Sequence, residues 1–235
     1  MKATYKVMQV TQSGVLELAE RATPIPTGNQ VLIAVEACGI CGADISDIEN
    51  ANTELSAPRV PGHEVVGPII AKGQHVSDNW QLGQRVGIGR LGGHCNNCQQ
   101  CRMGQFQLCR QQEYVGATCD GGYAEMMLAR ETGLVSIPDE LDSTAAAPLL
   151  CAGLATFNAL KKSSAESGDT IAVLGIGGLG YMALQYARRM GFRVIAIGRG
   201  CDIEADAMAL GAHRYVDTLA EDAVSVLHSS AGCKP

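Results

Sequence analysis

The sequence predicts two domains of different fold class, a β-rich domain followed by an α/β domain. Up to Pro138, short apolar segments are separated by glycine and proline, a pattern typical of β-strands joined by turns. From Thr170 onward the order becomes strand, glycine-rich turn and amphipathic helix, which is typical of a parallel sheet. We therefore expect domains at residues 1–165 and 166–235, with the boundary inside the polar stretch 163–168.

In the first domain, short runs rich in β-branched and apolar residues predict a series of strands. These strands are Thr4–Val10, Val15–Ala19, Val31–Ala37, Val65–Ile70, Arg85–Ile88, Tyr123–Leu128 and Leu134–Ile137. After them the composition becomes helical, with Ser143 as the expected N-cap of a helix at 143–147. Pro148 separates this helix from a second one at Leu149–Lys162.

Four cysteines interrupt the strand pattern, with spacers of two, two and seven residues between Cys95, Cys98, Cys101 and Cys109. This spacing favours a closed structural Zn²⁺ site, in which four thiolates bind the ion tetrahedrally at about 2.3 Å. Two disulfides are an alternative, but bridges across two-residue loops have poor geometry. An Fe–S cluster is another alternative, although the spacing fits neither ferredoxin pattern well.

The second domain begins with Thr170–Leu174, which is short, β-branched and apolar, as buried parallel strands are. A helix follows, and Gly191 is its expected C-terminal cap. The expected buried face of this helix is Leu179, Met182, Ala183, Tyr186, Ala187 and Met190. The remaining predicted elements are strands at Phe192–Ile197 and His213–Asp217 and helices near Ile203–Leu210 and Ala220–Leu227.

The turn between the first strand and this helix matches G-x-G-x-x-G at Gly175, Gly177 and Gly180. The glycines permit a tight turn, close approach to a pyrophosphate and close packing of the helix on the strand. Gly178 and Leu179 open the helix, whose free N–H groups and positive dipole end favour phosphate. A glycine-rich turn with no ligand is the alternative, but the strand–turn–helix context indicates a dinucleotide-binding site.

Cofactor choice depends on the end of the second strand, where a carboxylate would bind the ribose 2′-hydroxyl of NAD. The chain has Gly198 and Arg199 at this point, so a 2′-phosphate meets no carboxylate and has a cation to pair with. The sequence therefore favours NADP over NAD. Asp202 would favour NAD if its loop folds back, and a solvated surface charge is the alternative for Arg199.

Composition limits the partners and the compartment. The net charge of −6 over 235 residues argues against nucleic acid and anionic membranes as partners. The N-terminal residues lack an apolar run, so we expect no signal peptide, and ten cysteines in such a chain favour metal ligands and free thiols over disulfides. We expect a cytoplasmic protein that acts on a small molecule and can form a homo-oligomer.

Taken together, these segments resemble the zinc-dependent medium-chain alcohol dehydrogenases over essentially the whole chain. The motifs that carry the resemblance are Cys38–Asp44, Gly62–Glu64 with Gly67, Gly73 and Val76, Gly83–Gly87, the four-cysteine lobe, Cys151–Gly153 and the glycine turn. The resemblance implies a GroES-like β-domain with a structural zinc lobe, followed by a Rossmann domain. It also implies hydride transfer between NAD(P) and an alcohol or aldehyde.

By the same resemblance, Cys41, His63 and Cys151 would ligate a catalytic zinc, so that the chain holds two zinc ions. Such a Cys₂His set leaves one position open for substrate, and the metal acts there as a Lewis acid. Asp44 would orient a ligand, and Glu64 lies where the family sometimes supplies a transient fourth ligand. Taken singly, a histidine or cysteine at these positions would more often be an ordinary core residue.

The chain departs from the family pattern at several positions. The residue two after Cys41, usually serine or threonine, is Ala43, so water or another group must carry the alcohol proton. The residue four after Cys151, often threonine, is Ala155, while the adjacent Thr156 should point elsewhere.

The second domain also has about three predicted strands where a Rossmann sheet has six. We therefore expect a partial Rossmann domain from a longer enzyme that is truncated at its C-terminus. A non-catalytic zinc-binding fragment is the first alternative, and a zinc-free quinone reductase of the same superfamily is the second.

Overall fold

The computed structural model of the protein describes residues 2–50 and 58–230 and divides into two compact units, Met1–Cys151 and Ala152–Pro235. The strands are β1 Thr4–Gln12, β2 Val15–Ala22, β3 Gln30–Ala34, β4 Ala37–Cys38, β5 Val65–Lys72, β6 Arg85–Ile88, β7 Met126–Arg130, β8 Leu134–Ser136, β9 Thr170–Leu174, β10 Arg193–Gly198 and β11 Arg214–Asp217. The α-helices are α1 Gly42–Glu49, α2 Gln99–Arg102, α3 Ser143–Ala146, α4 Ala152–Lys162, α5 Gly178–Arg189, α6 Glu204–Ala209 and α7 Ala223–Ser230. Short 3-10 helices occur at Phe106–Leu108, Glu131–Gly133 and Ala147–Leu150.

An antiparallel sheet forms the centre of the first unit, in the order β7-β3-β5-β6-β8, with β4 paired to β5. β1 and β2 form a separate hairpin. The core of the sheet has no solvent-exposed area at Val31, Ile33, Val65, Ile69 and Val86. Burying each such side chain contributes about 1.5–3 kcal/mol relative to leaving it exposed, so these strands hold the unit together. The predicted β-rich first domain is confirmed.

One glycine is required where β3 and β5 pair. The register between them shifts between Leu32 and Ile33, and the two backbones come very close beside the shift. A Cβ atom on Gly67 would overlap the carbonyl oxygen of Ala34. Only glycine therefore allows this pairing.

Helix α1 was not predicted from the sequence. It begins with Cys41 as its N-cap, and the Asp44 carboxylate accepts a hydrogen bond of 2.8 Å from the Cys41 N–H. The Asp44 N–H in turn donates to the Cys41 carbonyl oxygen at 3.0 Å. This reciprocal pair resembles a capping box, but it uses cysteine and aspartate instead of the usual residues. The helix buries only Asp44, so its sequence lacks the apolar periodicity by which a helix is predicted.

Strand β7 begins later than predicted, at Met126 instead of Tyr123. The Tyr123 N–H donates to the Pro61 carbonyl oxygen at 3.0 Å, so this residue pairs with the segment before β5 and lies outside the sheet.

The second unit contains a parallel sheet in the order β11-β10-β9, which matches the first three strands of the Rossmann order 3-2-1-4-5-6. Helices α5 and α6 connect its strands. The core has no exposed area at Leu184, Ala187, Val194, Ala196 and Ala207. The predicted α/β second unit with a partial Rossmann sheet is confirmed.

The predicted buried face of α5 is confirmed at Ala187 and wrong at Leu179, and it omits the fully buried Leu184. The buried residues of the helix are Gly180, Leu184 and Ala187, whereas Leu179 is 52% exposed. Helix α5 also packs against α4, with the rings of Phe157 and Tyr186 5.9 Å apart. Helix α4 lies in the second unit, which begins at Ala152.

No single helix in the described ranges is long and apolar enough to cross a membrane. Within the described ranges, two helical segments, 143–150 and 152–162, reach that length and apolar composition only when they are counted together, and they are bent relative to each other.

Candidate metal centres and dinucleotide-binding turn

The four-cysteine lobe brings four sulfur atoms together. The Sγ atoms of Cys95 and Cys101 lie 3.9 Å apart, those of Cys98 and Cys101 3.5 Å, and those of Cys98 and Cys109 4.0 Å. A tetrahedron with metal–sulfur bonds of about 2.3 Å has sulfur–sulfur edges of about 3.8 Å, so the set fits Zn²⁺. Disulfide bonds are about 2.05 Å long, and the nine cysteines in the described part of the chain all carry free thiols.

Backbone N–H groups point at these sulfurs, as they do at thiolates. The N–H groups of Asn97 and Cys98 lie 3.5 and 3.4 Å from the Cys95 Sγ atom, and the Gln111 N–H lies 3.3 Å from the Cys109 Sγ atom. The N–H of Arg110, followed by other hydrogen-bond donors, lowers the pKa of the Cys98 thiol to about 6. Cys98 therefore favours the anionic form that a metal binds, whereas burial, followed by hydrogen bonds with Cys98 and Cys109, raises the pKa of the Cys101 thiol to about 12.

A second donor cluster is formed by Cys41, His63, Glu64 and Cys151, whose ligand atoms all lie within 4.8 Å of one another. The two Sγ atoms are 3.8 Å apart, the same tetrahedral spacing as in the lobe. The four residues come from three local structures: the N-cap of α1, the segment just before β5 that holds both His63 and Glu64, and the residue after the 3-10 helix at 147–150. The predicted ligands are thus brought together from distant positions in the sequence.

His63 provides the sharpest test of whether a metal fits this cluster. Its side chain is fully buried, and its Nδ1 atom lies 2.9 Å from the Asp44 Oδ1 atom. Since a carboxylate only accepts hydrogen bonds, Nδ1 must carry the proton, and the lone pair is on Nε2. The Nε2 atom is buried and has no hydrogen-bond partner among the described residues. Buried polar atoms without partners are rare, and a metal ion would satisfy this one.

Glu64 belongs to the same cluster, and its side chain occupies the space beside Gly39. Its side chain is 2% exposed, and a Cβ atom on Gly39 would overlap its Oε2 atom. Burial first, and then the negative charges of Cys41 and Glu64, raise the pKa of the Cys151 thiol to about 12. A divalent cation would stabilise the negatively charged forms of these ligand atoms, which otherwise repel one another.

The glycine turn in the second unit opens a groove. Gly175 has a φ of +83°, which only glycine adopts readily. A Cβ atom on Gly180 would overlap the carbonyl oxygen of Gly175, which confirms the close packing of helix on strand. Gly177 is the N-cap of α5, and Gly178 and Leu179 in the first turn of the helix line the groove. The predicted cofactor residues therefore line one surface.

Gly198 and Arg199 line the same groove, whereas Asp202 is not among the described residues that line it. Arg199 is exposed and forms no ion pair within the described ranges, so its guanidinium is available to a ligand. The loop after it is held by hydrogen bonds to the next strand. The Gly200 N–H donates to the Asp217 Oδ1 atom at 2.7 Å, and the Tyr215 hydroxyl donates to the Gly200 carbonyl oxygen at 2.6 Å.

Comparison with known proteins gives a consistent result. Residues 27–139 match the family described as the alcohol dehydrogenase GroES-like domain. Alcohol dehydrogenase notN of Aspergillus sp. (strain MF297-2) is 43% identical over 217 residues, which is 92% of this chain and 63% of that protein. Alcohol dehydrogenase patD of Penicillium expansum is 40% identical over 234 residues, which is 98% of this chain and 67% of that protein.

Among solved structures, the cobalt- and zinc-bound thermostable alcohol dehydrogenase of Pyrobaculum aerophilum superposes with a TM-score of 0.81 at 27% identity, covering 91% of this chain and 66% of that one. This chain belongs to the zinc-dependent medium-chain alcohol dehydrogenase family. It spans 56–67% of the length of the first three curated relatives. Other solved members hold NADP(H) or NAD.

As a member of this alcohol dehydrogenase family, the chain has two unusual positions that the structure describes. Ala43 is exposed on α1 and offers no hydroxyl group. Ala155 is also exposed, while the Thr156 hydroxyl is buried and donates to the Ala152 carbonyl oxygen at 2.7 Å. Thr156 therefore points away, as predicted.

Sequence patterns missed several residues that surround the candidate sites of this chain. Tyr123, Asp217 and Tyr215 contact site residues, but none of them belongs to a recognisable motif. The only signal for Tyr123 is its position after two glycines that pack against the segment preceding His63.

Proposed function

We propose that this chain is a zinc-dependent oxidoreductase that transfers hydride between NAD(P) and a primary or secondary alcohol or an aldehyde. The observation that carries the proposal is the buried His63 Nε2 atom, which is unpartnered in the described structure and lies in one cluster with the sulfurs of Cys41 and Cys151. Family membership supports the reaction type, since the relatives are named alcohol dehydrogenases.

Cys41, His63 and Cys151 are the proposed ligands of a catalytic zinc, and the four-cysteine lobe is the proposed structural site, giving two ions per chain. When bound, the catalytic ion would supply Lewis acidity toward the oxygen of the alcohol or aldehyde. Glu64 lies in the same cluster and is proposed as an occasional fourth ligand.

The residues of the chain prepare this site for the metal and the substrate. Asp44 holds the Nδ1 proton of His63 and so directs the Nε2 lone pair into the cluster. Burial of both side chains keeps water away from that hydrogen bond. Since Ala43 has no hydroxyl group, we propose that the alcohol proton leaves through water or another group.

We propose NADP as the preferred cofactor. The exposed, unpaired Arg199 follows Gly198 at the end of β10, where a 2′-phosphate would be recognised. The N-terminus of α5 and the glycines at 175, 177 and 180 are the proposed pyrophosphate site. Cytoplasmic location and homo-oligomer formation remain predictions from the sequence.

A fluorescence titration with NADPH and then NADH tests the proposal, after the zinc content of the purified chain has been measured. We expect saturable binding that is tighter for NADPH, and reduction of aldehydes in a subsequent assay. Two zinc ions without binding of either cofactor would favour the alternative, a non-catalytic zinc-binding fragment. A zinc-free chain would favour the quinone reductases of the same superfamily.

A further inference from the structure

Tyr123 contacts the catalytic cluster, formed by Cys41, His63, Glu64 and Cys151, through Asp44, which is not itself a proposed ligand. Its hydroxyl donates to the Asp44 Oδ2 atom at 2.9 Å, and the Cys41 N–H donates to the same oxygen at 2.8 Å. The other oxygen of Asp44 accepts from His63 Nδ1. The Asp44 side chain is 2% exposed, so these three donors replace the water that its carboxylate has lost.

The position of Tyr123 is fixed from two sides. Its N–H donates to the Pro61 carbonyl oxygen, and a Cβ atom on Gly62 would lie 2.5 Å from its ring. The ring therefore rests on the backbone just before His63. It packs in an apolar cluster around Tyr5, Val7 and Val60 while its hydroxyl reaches Asp44.

We propose that Tyr123 is a positioning residue of the catalytic metal centre. By holding one oxygen of Asp44, the hydroxyl fixes the rotation of the carboxylate, so that the other oxygen meets the Nδ1 proton of His63. That hydrogen bond determines which ring nitrogen of His63 is free to bind a metal. The inference rests on the proposed catalytic zinc site and adds to it a residue that no sequence motif marks.

The protonation states agree with this role. Burial, followed by the hydrogen bond to Asp44, raises the pKa of the Tyr123 hydroxyl above its ordinary value, so it remains a donor. Burial would raise the pKa of the Asp44 carboxyl, but hydrogen bonds from His63, Cys41 and Tyr123 outweigh it and lower the pKa.

The test uses Tyr123→Phe, which removes the hydroxyl and keeps the ring. Tyr114→Phe is the matched control, because Tyr114 is 43% exposed and its hydroxyl has no hydrogen bond within the described ranges. Metal-free chains are titrated with Co²⁺, whose absorption bands distinguish a four-thiolate site from one with two thiolates and an imidazole. The lobe thus serves as an internal reference in every sample.

We expect Tyr123→Phe to weaken Co²⁺ binding at the catalytic cluster by about tenfold, as removal of such outer partners does. Binding at the lobe should not change, and Tyr114→Phe should resemble the wild type at both sites. A ¹⁵N spectrum of the metal-free chain gives a second readout, since His63 should lose part of its Nδ1-protonated tautomer in Tyr123→Phe alone.

Unchanged affinity at the catalytic cluster in Tyr123→Phe would overturn the inference and leave the proposed function standing. Equal weakening at both sites, together with a lower melting temperature, would also overturn it, because the hydroxyl would then act on overall stability. A wild-type chain that binds Co²⁺ only in the lobe would contradict the proposed function itself.

Discussion

Replacing Arg199 by serine should reduce the preference for NADPH over NADH. Arg199 is exposed on the groove and carries no ion pair within the part of the chain that the structure describes. A 2′-phosphate would therefore gain a new charge-assisted hydrogen bond there without breaking an existing one. Such a bond contributes about 1.5–3 kcal/mol, and at the lower end its loss weakens NADPH binding roughly tenfold.

The assay is a titration of NADPH and NADH fluorescence on Arg199→Ser and on a control, Arg193→Ser, which changes the same residue type at the opposite end of β10. We expect the dissociation constant of NADPH to rise about tenfold in the first variant alone, at the lower end of the range for a charge-assisted bond. The constant for NADH should stay unchanged, because it has no 2′-phosphate. An equal loss for both cofactors, or no loss for either, would refute the assignment of Arg199.

Four further changes test the fold and the metal sites. Leu184→Ala should destabilise the chain by about 2–5 kcal/mol in chemical denaturation, because Leu184 has no exposed area; a loss below 1 kcal/mol would place it outside the core. Gly67→Val should abolish soluble expression or strongly lower the melting temperature, since its Cβ would overlap the Ala34 carbonyl oxygen, whereas Gly42→Val, at an exposed position with open space and no positive φ, should remain soluble. Asp142, and not the predicted Ser143, is the N-cap of α3; Asp142→Ala removes this cap, and the hydrogen bonds from Thr144 lower the pKa of the Asp142 carboxyl. The stability that Asp142 adds is therefore present above its unfolded-state pKa and disappears as pH falls through the lower folded value, so wild type and variant should converge in acid melts. Removing metal with a chelator should lower the melting temperature, and Zn²⁺ should restore it; an unchanged melt would argue against a structural ion.

The features that the sequence predicted well depend on local spacing. The four cysteines lie within one short lobe, and the glycine turn lies between an apolar strand and a helix, so both are visible without knowledge of the fold. The order β11-β10-β9 also follows from the βαβ pattern, because successive crossovers of one hand place each strand beside the last.

The features that it missed depend on contacts between distant segments. Tyr123 and Asp44 are 79 residues apart, and they meet because the residues before β7 pair with the residues before β5. Neither segment has a hydrophobic periodicity from which that pairing could be predicted. Helix α1 escaped prediction for a related reason: it is stabilised by the Cys41–Asp44 hydrogen bonds and buries one carboxylate instead of an apolar face. Helix α5 likewise packs against α4, a contact that the sequence of α5 does not reveal by itself.

The central claim is that Cys41, His63 and Cys151 hold a second metal ion besides the one in the lobe. The most direct measurement is the number of zinc ions bound per chain in the wild type and in His63→Ala, after removal of loosely bound metal. The account predicts two ions in the wild type and one in the variant. One ion in the wild type, or two in His63→Ala, would contradict it.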